Sequence, residues 1–227
     1  NRTTPISTIF YAECSNNPGC RTATNFVINA KPTITAVAGG SRCDSGEVTL
    51  GATASSGTIN WYTAATGGSI VATGTSYKTP SLSTTTDYYV EAAANGCTSA
   101  ARTKVTATVN TTPTITSTTP RSGCAGETVI LSASASAGTI NWYGNVTGGI
   151  SLGTGTNFTT PNLSATTTYY VDATSNNCTT GSRVAVAATI YLLPTAYAVT
   201  GGGTYCTGGT GFAVGLSNSD SGVSYQL

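Results

Sequence analysis

Short runs of alternating apolar and polar residues dominate the middle of the chain. In Glu47–Ala54 the apolar set is Val48, Leu50, Ala52 and Ala54; in Thr58–Thr63 it is Ile59 and Trp61; in Asp87–Ala94 it is Tyr88, Val90 and Ala92. A period of two is that of a half-buried strand, and turn signals follow every ~8–12 residues. Further strands are predicted at Thr33–Val37, after a proline, at the short edge Ser69–Ala72, and at Thr75–Thr79, which Pro80 stops. Asn95-Gly96 tolerates two positive φ angles and predicts a hairpin into a last strand, Cys97–Val109, with a bulge near Ala100-Ala101. Seven strands in this order predict a sandwich of the immunoglobulin type. In it Trp61 takes the core position of the third strand, and Tyr88 is a candidate for the tyrosine corner.

The pattern then repeats. Residues 32–112 laid over 113–193 are identical at 40 of 81 positions without a gap. Pro32 falls on Pro113, Cys43 on Cys124, Trp61 on Trp142, Tyr88 on Tyr169, Cys97 on Cys178 and Arg102 on Arg183. A unit of ~80 residues has the size of a small domain, not of a solenoid turn. The expected architecture is all-β, a tandem array of immunoglobulin-like Greek-key β-sandwich domains. Residues 1–31 read as the C-terminal remnant of a preceding repeat, since Phe10-Tyr-Ala-Glu13 and Arg21 match a repeat's end. Residues 194–227 read as the truncated start of a divergent repeat, opened by Pro194 and Cys206. The chain is therefore expected to be a piece of a longer array.

Composition narrows the chemistry. Threonine occurs 47 times, a β-branched residue suited to strands, and there is no His, which removes imidazole catalysis and His-ligated metals. Nine Lys/Arg against eight Asp/Glu leave a net charge of +1, too little to neutralise a phosphate backbone. Nucleic acid is not an expected partner, and no run of ~18 apolar residues exists to span a membrane. The N-terminus carries no basic-then-apolar signal. The acids sit singly, with only Glu91/Asp172 in strict register and Glu47/Glu127 nearly so, and they are expected on a solvated surface. No catalytic residue, cofactor or metal site is expected. The exclusion of enzymes applies to this chain.

Seven cysteines in a chain this poor in charge point to an oxidising compartment. Each repeat carries one before its second strand and one after the hairpin turn. Pairing within a repeat, Cys43–Cys97 and Cys124–Cys178, is the simpler option. Sandwich topology favours a tie between repeats, Cys43–Cys178, because the two positions of one repeat lie at opposite ends of the sandwich. Cys97 and Cys124 would then take partners in neighbouring domains, while Cys14 and Cys20, six apart across a hairpin, are placed to close locally. Cys206 is the odd one.

Alternation sends Tyr62 and Tyr89 to the outer face if Trp61 and Tyr88 point inward, and Tyr143 and Tyr170 repeat the arrangement. Such a face either stacks on sugars or contacts protein, or it stabilises the sheet through a cross-strand pair.

Gly57-Thr-Ile-Asn-Trp-Tyr62, Thr66-Gly-Gly68, Gly74-Thr75, Thr79-Pro80, Leu82-Ser83, Tyr88-Tyr-Val90 and Gly96-Cys97 resemble the immunoglobulin-like repeats of Bacteroidota cell-surface proteins, the gliding-motility adhesins of flavobacteria among them. Gly201-Gly-Gly-Thr-Tyr-Cys206 through Gly222-Val-Ser-Tyr-Gln226 is similar to a divergent repeat of the same proteins. The resemblance implies type IX secretion, display on the bacterial cell surface through parts outside this chain, and a stalk role in adhesion or gliding. Two other roles remain open. One is a glycan- or protein-binding array acting by avidity; the other is an accessory array of a secreted polysaccharide-degrading enzyme.

Overall fold

The computed structural model describes residues 6–13, 19 and 21–226. Among these residues every regular element is a strand. The first two, β1 (Ile6–Glu13) and β2 (Arg21–Ile28), form an antiparallel pair that runs from Ile6↔Ile28 to Glu13↔Arg21.

The first repeat follows as β3 (Ile34–Ala38), β4 (Gly40–Cys43), β5 (Thr49–Ala54), β6 (Thr58–Tyr62), β7 (Ala72–Thr73), β8 (Ser76–Lys78), β9 (Thr86–Ala94), β10 (Cys97–Thr98) and β11 (Thr103–Asn110). They build two sheets, β3-β5-β8 and β4-β11-β9-β6-β7, with β10 paired to β9. Apolar faces of both close on one core. Leu50, Trp61, Val90, Val105 and Ala107 are buried there. The Trp61 indole donates to Gly74 O at 2.9 Å and packs on Tyr77, which packs in turn on Tyr88.

The second repeat follows the same plan: β12 (Ile115–Thr119), β13 (Arg121–Cys124), β14 (Ile130–Ala135), β15 (Thr139–Tyr143), β16 (Gly153–Thr154), β17 (Asn157–Thr159), β18 (Thr167–Ser175), β19 (Cys178–Thr179) and β20 (Val184–Tyr191). Its sheets are β12-β14-β17 and β13-β20-β18-β15-β16, with β19 on β18. Trp142, Phe158 and Tyr169 replace the first repeat's aromatic chain. A short antiparallel pair, β21 (Val199–Gly201) with β22 (Val214–Leu216), supplies the last strands.

Several expectations are corrected in detail. The chain crosses from one sheet to the other at Gly39-Gly40, so a four-residue strand, β4, stands where a loop was expected and pairs in parallel with β11. A Cβ at Gly39 would sit 2.7 Å from Thr106 O, and at Gly40 2.5 Å from Thr49 O, so the backbone passes close there; the second repeat makes the same crossing with Pro120-Arg121. The edge strand falls at Ala72–Thr73, beyond the expected Ser69–Ala72. The last strand is split at residues 99–102 instead of bulged. Tyr88, the candidate for the corner, lies in the core with its ring edge-on to Tyr77 at 5.2 Å, and no hydrogen bond from its hydroxyl to the backbone is found among the described residues.

Backbone contacts divide the chain into two units. One holds the residues up to Thr112 together with Asn176–Cys178, and the other holds Pro113–Ser175 and Thr179–Leu227.

Candidate functional site

Cys43 ends β4, directly opposite Asn110 on β11. Next to it, Asp44 holds a left-handed backbone, φ 56°, and its carboxylate accepts hydrogen bonds from Thr112 N at 3.0 Å and Thr112 Oγ1 at 2.7 Å. Those two bonds, led by the backbone one, hold its pKa below the usual carboxylate range. Asn176 and Asn177 also take positive φ, 49° and 63°, turning the hairpin so that Cys178 follows at once. Asn110 Nδ2 donates to Asn176 O at 3.3 Å. The two sulfurs are bonded, with Cα atoms 5.6 Å apart, and Cys178 is buried. Of the two pairings open from sequence, this is the one between repeats. Pairing within a repeat is excluded for Cys43 and Cys178 by that bond.

The remaining cysteines differ. Cys97 is a half-buried free thiol; Cys124 and Cys206 are exposed free thiols. The expected closure of Cys14 and Cys20 lies outside the described residues.

The Tyr62/Tyr89 face is built otherwise than alternation predicted. Tyr62 does lie directly across from Tyr89, and Tyr143 from Tyr170. Yet Tyr62 is only 7% exposed. The guanidinium of Arg102 lies 3.2 Å from the centre of its ring, and Arg183 covers Tyr143 at the same distance. Each Arg also donates to two loop carbonyls: Arg102 to Ala64 O and Gly67 O, Arg183 to Asn145 O and Gly148 O, all at 2.6–2.8 Å. Its remaining side faces the acid in register, Glu91 at 3.6 Å and Asp172 at 3.3 Å. Asp172 is buried and also accepts from Asn141 Nδ2, so the solvated surface expected for these acids is corrected. A charge at these positions is stable because the cation and its hydrogen bonds are built in. Arg21 and Glu13 form the same pair on the β1–β2 hairpin at 3.3 Å. The sequence signal was present, an arginine in strict register with an acid 11 residues before it, but strand alternation does not say that Arg folds back over a tyrosine.

Trp61 and Trp142 are fully buried, as are most of Tyr88 and Tyr169. No helix is long and apolar enough to cross a membrane among the described residues. No group of three or more His, Cys, Asp or Glu side chains is placed to hold a metal among them either.

A family model described as "Ig-like domain CHU_C associated" matches residues 30–110 and again 111–191. No curated protein matches the chain significantly. Among solved structures, the fibronectin(III)-like modules of Clostridium thermocellum CbhA are similar at 17% identity, covering 71% of this chain and 94% of that one, with a TM-score of 0.45. A marsupial T cell receptor is similar at 12% identity over 75% of this chain and 76% of its own, TM-score 0.48. Chicken CNTN1 FN1-FN3 domains are similar at 13% identity over 82% and 76%, TM-score 0.42.

Proposed function

We infer that this chain, which belongs to the CHU_C-associated Ig-like domain family through two consecutive copies, is a structural segment of a longer extracellular protein. In this reading it serves as part of a stalk that holds an adhesive region away from a bacterial cell surface. The observation that carries the reading is the covalent tie between residues of consecutive repeats, Cys43–Cys178. A disulfide of this kind belongs to an oxidising, extracytoplasmic setting. Ig-like domains are typically non-catalytic modules, and tandem arrays of them suit spacing and adhesion. The low charge fits the same role, since Thr, Ser and Asn keep such surfaces wet without electrostatic attraction to a ligand.

Adhesion or gliding, type IX secretion and outer-membrane attachment belong to the proposal as what the resemblance implies. Negative-stain images of cells displaying the intact protein test it. Deleting residues 32–193 in frame is expected to shorten a surface fibre while cell adhesion persists. Adhesion lost with fibre length unchanged would favour a binding array instead.

A further inference from the structure

The junction at Cys43–Cys178 has a second, incomplete counterpart in the first unit. Asn29 stands 81 residues before Asn110, and Asn95 and Cys97 stand 81 before Asn176 and Cys178. The hydrogen bond is the same in both places: Asn110 Nδ2 to Asn176 O at 3.3 Å, and Asn29 Nδ2 to Asn95 O at 3.1 Å. What differs is the strand that brings the second sulfur. At the complete junction β4 runs parallel to β11, Gly40 against Ala107 through Cys43 against Asn110. The counterpart of β11 is β2, which among the described residues pairs only with β1. Its open edge corresponds to Phe26–Asn29. Phe26, Val27 and Ile28 are 56%, 51% and 47% exposed, whereas Ala107, the counterpart of Phe26, is fully buried. Cys97 Sγ lies 3.9 Å from Asn29 O, and its thiol is free.

We propose that the open edge of β2 is a docking site for a cysteine-ending strand of an adjoining Ig-like repeat. The occupant is a short segment like Gly40-Ser-Arg-Cys43, parallel to β2, with its cysteine in register with Asn29 and its sulfur bonded to Cys97. This rests on the reading of the chain as part of an array. Main-chain hydrogen bonds along Phe26–Asn29 supply the pairing, and the cysteine fixes the register, because a shift of one residue turns every side chain to the other face. The covalent step is a thiol–disulfide exchange. Cys97 thiolate attacks the strand cysteine held as a mixed disulfide with a small thiol, the S–S bond to that thiol breaks, and the leaving thiolate takes up a proton. The oxidant is thus a low-molecular-weight or protein disulfide, reduced to two thiols overall.

The test uses the full chain and a synthetic peptide with the sequence of residues 38–45, supplied as its glutathione mixed disulfide. A control peptide has Arg42 and Cys43 exchanged, which moves the thiol by one residue. Peptide mapping then reports which cysteine is tethered. The expected result is at least tenfold more tethering at Cys97 than at Cys124 or Cys206, loss of that preference with the control peptide, and slowed amide exchange over Phe26–Asn29. Accessibility alone gives the opposite order, since Cys124 and Cys206 are the exposed thiols. Equal labelling of the three, equal yields from both peptides, or Cys97–Cys97 dimers outpacing the peptide would each overturn the proposal. The fibre-length experiment does not depend on this outcome, so the two readings fail separately.

Discussion

At the scale of single residues, four side chains carry more than their neighbours. Trp61 and Trp142 fill the centre of each sandwich and satisfy their indole N–H on a glycine carbonyl. Truncation of either to Ala is expected to cost about 3–5 kcal/mol, read in chemical denaturation. Arg102 joins ring, loop carbonyls and Glu91 in one network. Arg102→Lys keeps the charge but loses the planar fork, and is expected to destabilise by about 1–3 kcal/mol; a loss near zero would show that the network is incidental. Asp44 adds a pH dependence. Its pKa is depressed in the folded chain by the Thr112 hydrogen bonds. Their contribution is therefore full above the ordinary carboxylate range and fades as pH falls through the lower folded value. Asp44→Asn should flatten the acid limb of the stability profile, and an unchanged limb would remove Asp44 from it.

At the scale of elements, turns and strand ends decide the register. Gly57 and Gly138 take φ near 80°, and a Cβ there would meet the facing carbonyl at 2.1–2.2 Å. Gly57→Ala is expected to cost about 1–3 kcal/mol and to raise amide exchange at the end of β9; protection left intact would contradict this. Serines clamp the residue that leads into β3, β12 and β21 in one way: Ser55, Ser136 and Ser217 each accept from a backbone N–H with Oγ and donate their own N–H back, to Thr33, Thr114 and Ala198 respectively. The strands that show period-two burial, β5, β6 and β9, were legible in the sequence, because one face meets the core and the other water. β4 was not legible, since Gly40-Ser-Arg-Cys43 has no alternation and its partner lies more than 60 residues away. The edge strand was misplaced because Ile70 and Val71 look like strand residues yet stay exposed, while Val71 N bonds to Trp61 O ahead of β7. The tyrosine face misled for a related reason. Periodicity gives the side of the sheet on which Tyr62 lies, but the residue that covers it comes from Arg102, forty positions on.

At the scale of the whole molecule, the central claim is that consecutive repeats are tied covalently through Cys43 and Cys178. Chain connectivity makes this testable under force. Cys43 and Cys178 are 135 residues apart in sequence, so while the bond holds, the chain between them adds almost nothing to the extension when the ends are pulled. An unfolded residue contributes at most about 3.5 Å, so reduction should release about 470 Å of additional length. Single-molecule pulling of the full chain with and without a reductant is the decisive measurement. The account predicts that the reduced chain extends about 470 Å further, with both sandwiches now yielding in full. Equal extension under both conditions would contradict the inter-repeat bond and the array role inferred from it.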